Sequence, residues 1–189
     1  MKKVVLSLII SLFISSCGVQ YAIKKNYDFT KIKRIAVVDF SSQSAFRNSG
    51  DVVADEFVFQ LLKADFEVIE RNKVSLILKE KGIAQLNESD PDTIRSIGKV
   101  LGVDAIITGS VSKYLEDKKD TLYITNSQGN ITSQIFLTRA EVDVSSRMID
   151  VFTGEIVWSA KNSYEGLDIQ DAVSGAVSGI VDSLSKLMK

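Results

Sequence analysis

Short apolar runs alternate with amphipathic segments along the first 111 residues of the chain. Residues 34–40 and 103–111 are nearly continuous apolar runs, which is typical of strands covered on both faces. Between them, Val53, Phe57 and Leu61 recur every four residues, the spacing of an amphipathic helix. This pattern predicts an α/β arrangement, in which helices cover the faces of a sheet.

Two more helices are predicted before the second buried strand, both after a short strand at residues 66–69. Asn72 is a favourable N-cap for the first helix, and Gly82 ends it. Residues 90–91, an Asp-Pro pair, begin the second, because proline fits the first helical turn. Gly102 then ends this helix.

The second half of the chain is predicted to be a β-meander followed by a helix. Residues 121–137 form a hairpin with a turn-rich tip, and residues 140–145 alternate apolar and polar side chains as a half-buried strand does. Gly154 makes a tight turn into a strand at residues 155–160, and a helix covers residues 169–188. The predicted fold class is α/β: a single domain with a mixed β-sheet sandwiched by helices and a C-terminal helix.

Several conspicuous residues are interpreted as structural. Trp158, the single tryptophan, is expected in the core, and Gly175 and Gly179 are expected to let the last helix lie close to the sheet. Residues 113–120 mix lysines with acidic side chains, which is typical of a solvated loop at an edge. A glycine-rich phosphate-binding motif is not found in the sequence.

Residues 1–17 have the pattern of a bacterial lipoprotein signal. Lys2 and Lys3 precede an apolar run that is too short to cross a bilayer as a helix. Residues 14–17, with the sequence Ile-Ser-Ser-Cys, resemble the lipobox of bacterial lipoproteins. The resemblance implies that Cys17 is acylated after the preceding peptide is cleaved. The alternative is a plain secretory signal that happens to contain a cysteine.

The lipoprotein interpretation divides the chain into three parts. Residues 1–16 are predicted to be the signal peptide and residues 34–189 the α/β domain. Residues 17–33 are predicted to be a lipidated tether that reaches at most ~50 Å. Two or more acyl chains make a stable membrane anchor, so the domain is expected to stay close to its membrane. Gly18, next to the cysteine, is compatible with transfer to the outer membrane.

Composition narrows the chemistry that the domain can carry. The 189 residues include one cysteine and no histidine, which excludes Ser-His-Asp and Cys-His nucleophiles, His-ligated zinc and an internal disulfide. The formal net charge of −1 argues against a mainly electrostatic nucleic-acid binder. We therefore assign no catalytic residue, cofactor or metal, and predict that the chain is not an enzyme.

Carboxylates are the remaining candidates for chemistry. Asp39 follows the first buried strand, where α/β sheets often place functional groups, and Asp104 precedes the next one. A paired-carboxylate site built from Asp39, Glu70, Asp104 or Asp150 would suit a hydrolase, although the spacing singles out no pair. The competing interpretation is that these side chains cap helices or anchor turns.

Three separated stretches carry a resemblance to a known family. They are residues 68–80, residues 97–111 and residues 147–158. Together with the lipobox, these stretches resemble the CsgG family of bacterial envelope lipoproteins, to which LpoB is related. Physically they contain a strand-to-helix corner, a helix stop and a strand turn, so they identify a fold and no catalytic site.

The resemblance implies non-enzymatic work in the periplasm at the outer membrane. We expect an assembly, secretion or partner-binding module, held to the membrane through Cys17 and bound to an envelope protein or to other copies of itself, without nucleic acid. One alternative is a subunit of an oligomeric secretion pore, as in the curli channel, and another is a regulator of peptidoglycan synthesis, as LpoB is. The hairpin at residues 121–137 is polar with short arms, so we expect no pore from this chain alone. Residues 18–33 are too short for a reach like that of LpoB.

Overall fold

In a computed structural model of the chain, which describes residues 18–38, 40–42, 46, 48–83 and 90–188, helices cover both faces of one mixed sheet. The described strands are β1 (Gln20–Ile23), β2 (Arg34–Val37), β3 (Ser41–Ser42), β4 (Glu67–Ile69), β5 (Ala105–Thr125), β6 (Ile131–Asp150) and β7 (Ile156–Gly166). The described α-helices are α1 (Ser49–Lys63), α2 (Arg71–Glu80), α3 (Pro91–Leu101) and α4 (Ile169–Ser185), and a 3₁₀ turn covers Phe29–Lys31.

The strands follow the order β1-β7-β6-β5-β2-β4 across the sheet, and the short β3 pairs with β5. β2 lies parallel to β4 and to β5. β5, β6, β7 and β1 are successive antiparallel neighbours. The sheet is therefore mixed, helices cover its faces and a helix ends the fold, so the predicted fold class is confirmed.

The central strands separate two apolar cores, because neighbouring residues of a strand point to opposite faces of the sheet. α1 and α4 cover one face, where Phe57, Trp158 and Ile180 are buried. α2 and α3 cover part of the other face, where Ile97 and Ile106 are buried. Trp158 is a core residue, as predicted. Beyond α2 and α3 this face carries a polar depression bordered by Ser110, Ser145 and Arg147, and none of the described helices covers it.

Both ends of α3 follow the sequence signals. The Asp90 carboxylate accepts hydrogen bonds from the backbone N–H groups of Asp92 and Thr93, which leaves fewer unpaired donors at the start of the helix. Gly102 ends the helix with a φ of 64°, a conformation that glycine adopts at little cost. The predicted start and stop of this helix are confirmed.

The predicted start of α2 is corrected. The helix begins at Arg71 with Glu70 in the capping position, so Asn72 lies within the first turn and not at the N-cap. The Asn72 amide donates to the Glu70 carboxylate at 3.2 Å. Glutamate is not a favoured cap residue, so the sequence pointed to the nearby asparagine instead. α4 ends at Ser185, slightly before the predicted end. None of the helices described has both the length and the apolar content needed to cross a membrane.

Two glycines of α4 permit a close approach to the sheet and to the N-terminal segment. A Cβ atom on Gly175 would lie 2.4 Å from the Tyr164 ring. A Cβ atom on Gly179 would lie 2.8 Å from Val19 and 2.9 Å from the Asn162 amide nitrogen. Real Cβ atoms do not come this close to other side chains, so the predicted packing role of both glycines is confirmed.

The N-terminal segment differs from the predicted free tether over residues 17–33. Gln20–Ile23 forms β1, which adds to β7 at the edge of the sheet. Phe29 and Ile32 are buried, and the Tyr27 hydroxyl donates a hydrogen bond to the Asp150 carboxylate. All four residues of β1 are exposed, so the strand has no apolar alternation that the sequence would reveal. Cys17 and the signal segment lie outside the described residues.

Gly98→Ala tests the contact between α3 and the end of β6. An added Cβ would lie 2.4 Å from the Val151 Cβ, and such overpacking costs about 1–3 kcal/mol. This exceeds the gain of about 1 kcal/mol that alanine brings to a helix interior over glycine. We expect a lower free energy of unfolding, measured in urea through the fluorescence of the buried Trp158. In a Val151→Gly background the same substitution should cost much less, and an equal loss in both backgrounds would contradict this packing account.

Candidate functional site

β5 and β6 form a hairpin that runs well beyond the rest of the sheet. They pair from Ala105 and Asp150 at the base to Thr125 and Ile131 at the tip. β7 accompanies β6 only as far as the Ala140–Gly166 pair. Beyond that pair, residues 118–125 and 131–139 form a two-stranded projection, here called the ribbon. Eight residues of extended strand span ~26 Å, so the ribbon stands far out from the core.

The hairpin predicted at residues 121–137 exists, but its arms are not short. Residues 113–120, predicted to be a mixed-charge loop, are part of β5. Two register shifts, between Val111 and Lys113 and between Leu115 and Lys118, break the alternation of apolar and polar positions along this strand. Each bulge moves the following side chains to the other face of the sheet, so the sequence pattern underestimates the length of the hairpin arms.

The outer part of the ribbon carries no charge. Residues 121–138 contain no Asp, Glu, Lys or Arg, in a chain of which 25% is charged. Charged side chains resume at Asp120 and Arg139, directly below this stretch. Counting charges along the sequence would have singled out this segment, whereas a search for catalytic motifs passes over it.

The two faces of the ribbon differ in chemistry. Residues directly opposite each other share a face, and the pairs Leu122–Ile135 and Asp120–Leu137 place three aliphatic side chains on one face. The pairs Tyr123–Gln134 and Thr121–Phe136 lie on the other face, where aromatic and polar side chains alternate. Exposure is high on both faces: 53% for Leu122, 59% for Tyr123 and 69% for Phe136. Apolar side chains of this size without cover mark an interaction surface.

A tight turn fixes the tip of the ribbon. The Asn126 side-chain oxygen accepts hydrogen bonds from the backbone N–H groups of Gln128 and Asn130, both at 3.0 Å. Gly129 has a φ of 81°, which suits glycine. The tip is polar but uncharged, so moving it out of water does not require the burial of a charged side chain.

A network of ion pairs fixes the base of the ribbon. Glu141, only 8% exposed, accepts a hydrogen bond from Lys113 at 2.6 Å and lies 3.4 Å from the Lys118 ammonium. Lys118 also donates to Glu165 at 2.6 Å, and Arg139 bonds to the same carboxylate at 3.2 Å. The hydrogen bond from Lys113, followed by the attraction of both lysines, holds the pKa of Glu141 below its ordinary value. The network joins β5, β6 and β7 where the third strand ends.

The chain enters the sheet from the side to which the ribbon points. In β1, Ile23 lies level with Trp158 and Met148, and Gln20 lies nearer the ribbon. Gly18 continues in that direction and borders a cavity of about 320 Å³ together with Asp143. Cys17 immediately precedes Gly18. A lipid attached to Cys17 would therefore lie on the side of the domain from which the ribbon projects.

Asp104 and Asp150 lie at neighbouring positions, where β5 begins and β6 ends, and other groups engage both carboxylates. Asp104 accepts hydrogen bonds from the backbone N–H groups of Lys33 and Arg34, both at 2.9 Å, and so anchors the start of β2. Asp150 holds the turn after β6 through backbone N–H groups and also accepts from Tyr27. Both carboxylates therefore anchor a turn or the start of a strand.

Of the other two candidate carboxylates, only Glu70 lies among the described residues. Glu70 is exposed at the start of α2, and Asp39 lies outside the described residues. Within the described parts of the chain, three or more acidic, histidine or cysteine side chains do not gather in a way that would hold a metal ion. The ribbon, with exposed apolar side chains in its uncharged outer part, is therefore the feature that most needs a functional explanation.

Comparison with protein families gives one match that spans nearly the whole described chain. The family described as curli production assembly/transport component CsgG matches residues 20–188. A search of curated proteins finds no match to the chain.

Two solved structures show the same fold at low sequence identity, and a third is less similar. The PelC dodecamer from Paraburkholderia phytofirmans is 16% identical, with a TM-score of 0.57, covering 89% of this chain and 96% of that one. Lipoprotein GNA1162 from Neisseria meningitidis is 19% identical, with a TM-score of 0.52, covering 82% and 96%. The LpoB C-terminal domain from Salmonella enterica is 15% identical, with a TM-score of 0.42, covering 72% and 98%.

Glu141→Gln tests the network at the base of the ribbon through its pH dependence. A carboxyl whose pKa is lower in the folded chain than its unfolded value of about 4.3 contributes stability above that value and loses it as the pH falls through the folded pKa. The free energy of unfolding should therefore fall more steeply for the natural chain than for Glu141→Gln between about pH 5 and pH 3. Glu116→Gln, at an exposed position of the neighbouring strand β5, is the control. Parallel pH profiles of all three chains would contradict the proposed role of Glu141.

Proposed function

The chain belongs to the family described as curli production assembly/transport component CsgG, and from this membership we propose that it is a non-enzymatic lipoprotein of the cell envelope. In this proposal residues 1–16 are removed, Cys17 carries the lipid, and residues 34–189 with the strand before them form the working domain. The domain faces the periplasm from the outer membrane. It acts as an assembly, secretion or partner-binding module through its surface.

The observation that carries the proposal is the uncharged outer part of the ribbon, residues 121–138. An isolated two-stranded hairpin is only marginally stable in water, because it cannot bury its side chains against a third strand or a helix. Here Leu122, Tyr123 and Phe136 are more than half exposed. A ribbon of this composition gains stability when a lipid or protein surface covers it.

The position of the chain entry supports a lipid surface as one such cover. Gly18 lies near Asp143, and the thirteen residues from Ile131 to Asp143 span ~40 Å of strand. The hydrocarbon core of a bilayer is ~30 Å thick. If the strands run along the membrane normal, an anchor on Cys17 therefore places Lys118 and Arg139 near the headgroups and the uncharged part of the ribbon in the hydrocarbon. We infer that the ribbon enters the membrane that holds the anchor.

Self-association is part of the same proposal. The solved PelC structure that shares this fold is described as a dodecamer. A membrane anchor concentrates copies of the chain in two dimensions, which favours contacts between them.

The candidate carboxylates Asp104 and Asp150 serve as structural anchors, which favours a function in binding over a function in hydrolysis.

Phe136→Asp tests whether the ribbon binds lipid. The measurement is co-sedimentation with vesicles of phosphatidylethanolamine and phosphatidylglycerol, with every chain carrying Cys17→Ser so that the anchor does not mask the effect. Burial of a phenylalanine side chain contributes about 1.5–3 kcal/mol, so the substitution should weaken binding roughly tenfold or more.

Phe152→Asp is the matched control for this experiment. Phe152 is 70% exposed, close to the 69% of Phe136, but it lies in the turn at the opposite end of β6. It should leave vesicle binding unchanged. Equal binding by both variants would contradict the proposal, as would mass spectrometry that finds an unmodified Cys17 in the mature chain isolated from membranes.

The alternation along the ribbon favours a secretion pore as a second candidate. Strands that line a pore carry apolar side chains towards lipid and polar side chains towards the channel, and the two faces of the ribbon approach this pattern. The arms of eight and nine residues are close to the ~9–11 residues that such strands need. Copies of the chain would have to assemble, because one ribbon supplies only two strands.

Single-channel recording in planar bilayers tests the pore. The acylated chain should produce discrete conductance steps, and Gln134→Lys, on the face with Tyr123, should shift them towards anion selectivity. Ile135→Ala, on the lipid-facing side, serves as the control and should leave the selectivity unchanged. A bilayer that remains silent with the acylated chain rules this candidate out.

A further inference from the structure

The N-terminal segment is held to the domain in two unequal ways. Phe29 and Ile32 are 5% and 4% exposed, and the Tyr27 ring packs edge-on against Phe29 with the ring centroids 4.9 Å apart. The Tyr27 hydroxyl also donates a hydrogen bond to the Asp150 carboxylate. This part of the segment is therefore fixed in the core. Residues 18–25, here called the strap, lie instead along the outer edge of β7.

The strap is held by little apolar surface. All four side chains of β1 are exposed, so this strand depends on backbone hydrogen bonds to one neighbour. The Lys24 ammonium pairs with the Glu155 carboxylate, but the two side chains are 41% and 54% exposed, and such an open ion pair adds little stability. Val19 is partly buried and packs against the core beside Gly179. A segment with so little apolar burial opens locally at a much lower cost than the core does.

A hinge separates the strap from the fixed residues. Asn26 has a φ of 59°, a left-handed conformation that asparagine tolerates better than most residues. The Tyr27 backbone N–H donates to the Lys24 carbonyl at 3.4 Å, which closes a tight turn around Asn26. Rotation of the backbone in this turn moves the strap and leaves the buried side chains that follow in place.

We propose that the strap detaches reversibly from β7 and thereby switches the direction of the ribbon relative to the membrane anchor. The inference rests on the proposed function, since it takes Cys17 to carry the lipid. With the strap docked, the chain leaves the domain on the side from which the ribbon projects, so the ribbon faces the membrane. With the strap released, the ten residues from Cys17 to Asn26 form a flexible tether of at most ~35 Å. Such a tether imposes no direction, so the ribbon is free to turn away from the membrane.

The two states respond to what covers the ribbon. Lipid around the ribbon favours the docked strap, because that state already holds the anchor and the ribbon on one side of the domain. A protein that covers the ribbon away from the membrane favours the released strap. Each binding event shifts the equilibrium by its difference in affinity for the two states. The docking of one short edge strand thus regulates whether the ribbon meets lipid or protein.

Hydrogen exchange tests whether the released state is populated. The Lys24 backbone N–H donates to the Val157 carbonyl at 2.8 Å, so it is protected while the strap is docked. It should exchange at least about a hundredfold faster than the Met148 amide of β6, because local opening exposes it without global unfolding. A Lys24 amide that exchanges as slowly as the Met148 amide overturns the inference.

A disulfide that joins Ala22→Cys to Ser159→Cys locks the strap. The two residues lie directly opposite each other in β1 and β7, where Cα atoms are about 4.5–5.5 Å apart, within the range that disulfides span. Oxidation should slow exchange of the Lys24 amide about tenfold or more, because it removes the local opening. The same variant kept reduced is the matched control. Equal exchange in the oxidised and reduced forms contradicts the inference.

Lys24→Glu tests the link between the strap and the ribbon, because it replaces the ion pair with Glu155 by a like-charge contact. Every chain carries Phe136→Trp, whose fluorescence brominated acyl chains quench when the ribbon enters the hydrocarbon. Trp158 is 1% exposed and adds a constant signal. In acylated chains reconstituted in vesicles, Lys24→Glu should lower the quenching at least about twofold, since it shifts the strap towards the released state. Lys25→Glu changes the charge equally and leaves the Glu155 pair intact, so it should keep the natural quenching.

The same variants without the lipid provide the decisive comparison. In a Cys17→Ser background the strap carries no anchor, so Lys24→Glu and Lys25→Glu should be quenched equally. A loss for Lys24→Glu that is the same with and without the lipid overturns the inference, and so does equal quenching of both variants in the acylated chains. If brominated lipid quenches no chain at all, the proposed function fails. Hydrogen exchange of the strap needs no membrane and still decides whether the strap is released.

Discussion

The feature on which the rest of the structure depends is the strand pairing that stops at Ala140 and Gly166. Below this level, every central strand has neighbours and a helix against at least one face. Above it, two strands continue alone. Backbone hydrogen bonds hold them together, but their side chains have no core to enter. A network of ion pairs lies at this boundary, and residues 121–138 further out carry no charge. A charged base therefore supports an outer end suited to contact.

The pairing of the N-terminal segment with the sheet determines where the chain leaves the domain relative to the ribbon. β1 pairs with β7, and the buried Phe29 and Ile32 hold the following residues against the domain. A free tether would allow the domain any orientation to its membrane. With β1 paired, the chain leaves at Gly18 towards the ribbon, so a lipid on Cys17 would restrict both position and tilt.

The sequence predicts those parts of the fold in which local pattern and tertiary packing agree. The runs around Ile35 and Ile106 become buried strands, and the Asp90 and Gly102 signals become real helix ends. β1 is missed because both of its faces are exposed, so no periodicity marks it. The ribbon is underestimated because bulges near Lys113 interrupt the alternation. The candidate site lies in residues 121–138, which stand out because they lack charged side chains. A search for catalytic motifs does not detect such a segment.

In the proposed function, the membrane anchor and the ribbon impose compatible constraints on an assembly of copies. Copies rotated about the membrane normal point all their ribbons the same way, which brings Leu122 and Phe136 of each copy to one depth. Contacts between copies then strengthen membrane binding without a new lipid contact, because each additional ribbon binds at high effective concentration.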